Sequence, residues 1–158
     1  MEKQFQKHYY SEIRNLGLGE YSRAAQFNEL LGKTIVDIQG AEKDSEFILF
    51  ICSDDSRFLM FHERDCCESV SVEDICGDID RLIGTPILKA EESSSYDDES
   101  LDRGAIGEYS DESHTWTFYH LATIKGYVDI RWYGESNGYY SESVDFAELP
   151  PEKERRIS

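Results

Sequence analysis

From His114 to Phe146 the chain reads HTWTFYHLATIKGYVDIRWYGESNGYYSESVDF. Aromatic and β-branched residues alternate with polar ones through it, which is the period of a pleated strand. The stretch predicts three antiparallel strands joined by two tight turns. Ser136-Asn137-Gly138 suits a three-residue hairpin loop, with Gly138 in the left-handed conformation that a Cβ resists. Glu135 then faces Tyr139, Ile130 faces Val144 and Val128 faces Phe146. Lys125-Gly126 suits a two-residue loop, which sets Leu121 opposite Ile130 and Tyr119 opposite Trp132. In this register the apolar residues of all three strands share one face.

The opposite face carries Phe118, His120 and Ala122, then Asp129, Arg131 and Tyr133, then Tyr139, Ser141, Ser143 and Asp145. The register puts His120 opposite Arg131 and Asp129 opposite Asp145. Like charges directly opposed destabilise a sheet, and Arg131 or a bound cation would relieve them. Two readings stay open. One is a solvated face with a structural Arg–Asp pair. The other is a recognition surface, in which the Arg131 fork and the hydroxyls hold a ligand and the rings stack on it.

The remaining chain predicts an α+β fold: an antiparallel sheet of about seven strands in two meanders, with one or two helices packed on it. Residues 1–31 read as an N-terminal helical segment, best from Glu20 to Leu31, ended by Gly32 as a left-handed cap. Residues 32–148 read as one domain. Its first strands are Thr34 to Gln39, Glu46 to Ser53 and Arg57 to His62. Asp54-Asp55-Ser56 is a turn. Ile48-Leu49-Phe50-Ile51 lacks alternation, so that strand is expected to be central and covered on both faces. Val72 to Ile83 reads as an amphipathic helix, with Val72, Ile75, Cys76, Ile79, Leu82 and Ile83 on one side and Ser71 as cap. Ile87 to Ala90 is a further strand. An acidic, Ser-rich loop spans residues 91–113, and residues 149–158 form a charged tail.

The net charge of −17 on 158 residues opposes direct binding to nucleic acid or to an anionic membrane, where Lys and Arg must neutralise phosphates. It favours a basic protein partner, a cation, or solubility alone. No apolar run is long enough to span a bilayer, and no signal peptide is expected. The spacing of Cys52, Cys66, Cys67 and Cys76 does not resemble a secreted disulfide framework, so free thiols in the cytoplasm are expected, the host's if a virus encodes the chain.

His62, Cys66, Cys67 and Cys76 are ligand types for zinc, but no Cys-x-x-Cys pair is present. Cys66 or Cys67 with His62 as base is a thiol-nucleophile arrangement, weakened by the carboxylates around it. Asp129 with Asp145 is a weaker carboxylate pair for hydrolysis. No phosphate loop, nucleophile elbow or metalloprotease helix is present. The expectation is a protein that is not an enzyme, with no cofactor and no metal.

Asp-Cys-Cys-Glu at Asp65 to Glu68, Glu-Asp-Ile-Cys-Gly-Asp at Glu73 to Asp78, Trp-Thr-Phe-Tyr from Trp116, and the run from Ile130 to Glu142 carry a resemblance. The chain resembles small uncharacterised proteins of bacteria and their phages that bear a domain of unknown function, over roughly Gly32 to Phe146. The resemblance implies an accessory protein of a mobile element, and many of these act by binding. The resulting expectation is a non-catalytic acidic binding protein, a counter-defence inhibitor of a basic, nucleic-acid-handling host protein. The alternative is a protein that binds or sequesters a small nucleotide signal with His120, Asp129, Arg131, Tyr133, Tyr139, Ser141, Ser143 and Asp145.

Overall fold

A computed structural model describes residues 22–63, 68–95, 113–136 and 142–151. Nine strands run in chain order: β1 (Arg23–Ala24), β2 (Ile35–Gln39), β3 (Phe47–Cys52), β4 (Arg57–Phe61), β5 (Ser69–Cys76), β6 (Lys89–Ser94), β7 (Ser113–Thr123), β8 (Gly126–Ser136) and β9 (Asp145–Leu149). They form a five-stranded sheet in the order β1-β9-β4-β3-β2 and a four-stranded sheet in the order β5-β8-β7-β6. Every pairing between these strands is antiparallel.

The expected α+β class is therefore overturned. Among the described residues there is no α-helix, only 3-10 turns at Phe27–Leu30 and Ile79–Leu82. The expected helix from Val72 to Ile83 begins as strand β5. Ser69-Val70-Ser71-Val72 alternates at the strand period, with both valines buried. A bulge between Val72 and Asp74 absorbs one extra residue, after which Ile75 pairs with Ile130. That extra residue converts a period of two into spacings that imitate a helix. Gly77 then turns the chain with φ +113°, where an added Cβ would stand 2.8 Å from the Tyr127 carbonyl oxygen. Asp78, rather than Ser71, caps the following turn by accepting from the Asp80 N–H at 3.0 Å. Within the expected helix from Glu20 to Leu31, the described residues hold β1 and a 3-10 turn.

The first meander matches expectation. β2, β3 and β4 pair in succession, and Asp55 takes φ +70° in the turn between β3 and β4. Ile48 and Phe50 point into the main core, whereas Leu49 belongs to a second cluster on the other face of the sheet.

The C-terminal register differs from expectation in two ways. The β7–β8 loop is Ile124-Lys125, with Thr123 opposite Gly126. This shifts the pairing by two residues, so each side chain keeps its face but changes its neighbour. Leu121 meets Val128, Tyr119 meets Ile130, and His120 meets Asp129 instead of Arg131. Second, β9 is not a partner of β8. It crosses to the other sheet, where Phe146 pairs with Met60 and Asp145 with Phe61. The β8 edge is taken instead by β5. Ile130–Val144 and Val128–Phe146 are thus not pairs of one hairpin, and the expected Glu135–Tyr139 pair involves a residue outside the described ones. The expected acidic loop also loses its ends to strands, since Lys89–Ser94 is β6 and Ser113 opens β7. Its centre lies outside the described residues.

The two sheets share one core. Ile48, Phe50, Phe58 and Met60 from the first meet Val70, Val72, Tyr119, Leu121, Val128, Ile130 and Trp132 from the second. Trp132 is fully buried, as expected, and its Nε1–H donates to Met60 Sδ at 2.9 Å across the sheets.

Candidate binding face

Strict alternation along β7 and β8 makes the face that points away from the core. Thr115, Thr117, Tyr119, Leu121 and Thr123 of β7 turn inward and are buried. His114, Trp116, Phe118, His120 and Ala122 turn outward and keep solvent contact. On β8 the outward residues are Tyr127, Asp129, Arg131, Tyr133 and Glu135. β5 adds Asp74 opposite Arg131 and Cys76 opposite Asp129, and β6 adds Glu91 opposite His120.

Arg131 is the hub of one half of this face. Its Nε–H donates to Glu73 Oε2 at 2.6 Å, and a second guanidinium nitrogen also reaches that carboxylate. Asp74 lies 3.8 Å away. The guanidinium stands 5.2 Å from the centre of the Trp116 ring, within the range where a cation is attracted to an aromatic face. Trp116 in turn packs on Tyr133, ring centres 4.6 Å apart, and His114 stacks on Tyr133 at 6.2 Å. The Tyr133 hydroxyl donates to Glu135 at 3.3 Å. In the other half, His120 Nδ1–H donates to Asp129 in a short contact between partly exposed groups.

The expected site residues therefore divide. His120, Asp129, Arg131 and Tyr133 lie on one face. Arg131 is paired with Glu73 and not with Asp129, and Asp129 is paired with His120 and not opposed to Asp145. Ser143 and Asp145 belong elsewhere: the Ser143 carbonyl accepts from His62 Nδ1 at 2.7 Å, and Asp145 accepts from the Glu63 N–H at 2.8 Å. Tyr139 and Ser141 lie outside the described residues.

Three contributors went unforeseen. Glu73 was hidden by the helical reading of its segment. Trp116 and His114 continue the Phe118–His120 alternation by two and four residues, and that period is the signal that finds them.

A second polar cluster is internal. Glu142 is buried and accepts from Ser113 Oγ at 3.0 Å, Thr115 Oγ1 at 2.9 Å and Ser136 Oγ at 3.1 Å. Beside it, buried His62 places Nε2 2.9 Å from Glu68 Oε1. With Nδ1 on the Ser143 carbonyl, both His62 ring nitrogens are engaged, which opposes its use as a base toward a thiol. These contacts tie the Glu142–Asp145 strap to the end of β4 and to the β7–β8 pair. A buried carboxylate needs such donors.

Cys66 and Cys67 lie outside the described residues. Cys52 is a buried free thiol whose pKa burial pushes up, and Cys76 is an exposed free thiol on the outer face instead of an apolar helix side. Among the described residues, no group of three or more His, Cys, Asp or Glu side chains is arranged to hold a metal ion. No helix among them is long and apolar enough to cross a membrane.

Fold and face define a two-sheet antiparallel β protein whose smaller sheet presents aromatic rings among carboxylates. Residues 28–146 match the family model described as Domain of unknown function (DUF7448), and the chain belongs to that family. No curated protein and no solved structure matches it.

Proposed function

We propose that this protein is a non-catalytic binding protein whose outer β7–β8 face takes a basic surface of a nucleic-acid-handling protein, as a counter-defence inhibitor from a phage or other mobile element would. One observation carries the reading. Trp116, Phe118, Tyr127 and Tyr133 remain solvent-accessible on one sheet face, interleaved with Glu73, Asp74, Asp129 and Glu135. Large rings held at a surface beside charge supply the anchors of protein interfaces, and the net charge of −17 steers a cationic partner toward them.

The alternative, a small anionic ligand on Arg131, is less favoured. Its guanidinium is already held by Glu73, and Asp74 lies 3.8 Å from it.

Cys76 offers a direct test, because its exposed thiol stands on this face opposite Asp129. The tagged protein is used to capture basic proteins at low salt, and the complex is released by added salt. Alkylation of Cys76 is then followed by peptide mass spectrometry with and without the released partner. Slower alkylation in the complex, with capture weakened by Tyr133→Ala, is the expected result. Capture of no basic protein, or capture that leaves Cys76 fully reactive, overturns the reading.

A further inference from the structure

We infer that the outer face selects arginine over lysine, so that its partner presents guanidinium groups and not merely positive charge. This inference rests on the binding role proposed above and specifies the chemistry of that same face.

The chain's own Arg131 shows what the surface accommodates. Its guanidinium lies over the Trp116 ring at 5.2 Å while donating from Nε to Glu73 at 2.6 Å. A planar fork satisfies ring and carboxylate together, because it stacks through its face and donates through its edge. A lysine ammonium has no planar face to stack and is more strongly hydrated. The elements of that seat recur along the sheet. On β8, Tyr127, Asp129, Arg131, Tyr133 and Glu135 follow one another on the outer face, so a ring and a carboxylate alternate around Arg131. Asp74 stands across from Arg131 with its side chain 60% exposed, and Glu135 is exposed beside Tyr133. A partner's arginines thus meet carboxylates that border rings. The complementarity of charge is strong, since 33 acidic residues face 16 basic ones in the whole chain.

The test uses Trp116 as its reporter. The chain has two tryptophans, and the other, Trp132, is fully buried. The full-length protein is titrated with an arginine-rich and a lysine-rich peptide of equal length and charge, and tryptophan fluorescence is followed. The arginine peptide is expected to bind about two- to fivefold more tightly, the range that one exposed cation–π contact supplies. Tyr133→Ala, which keeps the Trp116 reporter and removes the outer-face ring bordered by Glu135, is expected to reduce that preference, and Tyr133→Phe, which keeps the ring, to retain it.

Arg131→Ala gives an independent reading, because it vacates the seat on Trp116 and Glu73. It is expected to tighten binding of the arginine peptide more than that of the lysine peptide. Equal affinity for the two peptides, or equal tightening in Arg131→Ala, overturns the arginine preference while leaving a charge-driven partner in place. Binding of neither peptide at low salt overturns the underlying binding role as well.

Discussion

The two sheets share a core but turn different surfaces away from it. In the five-stranded sheet, β4 is buried at every position from Arg57 to Phe61. Leu49, Leu59, Phe61, Ala147 and Leu149 form an apolar cluster on its far face. Even Arg57 is buried there, with Nε and a terminal nitrogen donating to the Pro150 carbonyl at 3.1 and 2.7 Å. In the four-stranded sheet, β8 alternates, and its far face keeps rings and charges in contact with solvent. Apolar area withdrawn from water stabilises a fold at about 25 cal/mol per Å², and only the first far face collects that term in full. Rings on the second contribute less to stability, and the proposed binding role rests on them for that reason.

The largest expected effects test this contrast directly. Trp132→Ala removes the side chain that joins the sheets and should cost about 3–5 kcal/mol. Leu59→Ala, on the far face of the five-stranded sheet, should cost about 2–5 kcal/mol, in line with buried leucines. Phe118→Ala, half-exposed on the other far face, should cost about 1 kcal/mol or less, near the range of surface substitutions. Denaturant unfolding measures all three. Equal losses at Leu59 and Phe118 would erase the distinction between the faces.

A middle-sized effect lies where the two sheets are strapped together. Glu142→Ala removes the carboxylate that accepts from the hydroxyls of Ser113, Thr115 and Ser136, and Thr115 is buried. A buried polar group left unsatisfied costs about 1–3 kcal/mol, so the loss should exceed that of Phe118→Ala. Glu142→Gln keeps an acceptor and should recover part of it. A melting temperature unchanged in Glu142→Ala would show that the strap does not hold the sheets.

The legible parts of this fold are those where one period governs. β3 and β4 could be read because a short apolar run bounded by Asp54-Asp55-Ser56 admits little else. The facing of β7 and β8 was also legible, since alternation assigns sides whatever the register. Partners were not. A slip of two residues preserves every side, so nothing in the pattern separates His120 opposite Arg131 from His120 opposite Asp129. β5 was illegible for a different reason: one bulge residue, Glu73, moved the apolar set onto a helical spacing. The place of β9 depends on a crossover between sheets. Local turn chemistry at Ser136-Asn137-Gly138 argued for a hairpin, and the apolar run of β4 offered Phe146 and Leu149 a better-buried edge. Half of the outer β7–β8 face was therefore legible from its period, while Glu73, which holds Arg131, becomes visible only with the sheet assembled.

The smallest effect concerns the turn of the first meander. Asp54 accepts from Lys33 Nζ at 2.7 Å and from the Ser56 N–H at 3.0 Å, as well as from the Ser56 hydroxyl. Lys33 first, then the Ser56 bonds, hold its carboxyl well below the usual carboxylate range. A carboxyl depressed in the folded state stabilises the fold at pH above its unfolded value, about 4, and that contribution fades as pH falls toward the folded value. The side chain is 55% exposed, so solvent screens the pair and the contribution is about 0–1 kcal/mol. Asp54→Asn should therefore be slightly less stable than the parent at about pH 7, and the gap should narrow below about pH 4. The difference between the two proteins is the readout, because the other carboxylates titrate alike in both. A gap that stays constant down to about pH 2 would assign the difference to turn geometry that Asn reproduces less well, and not to the charge of Asp54.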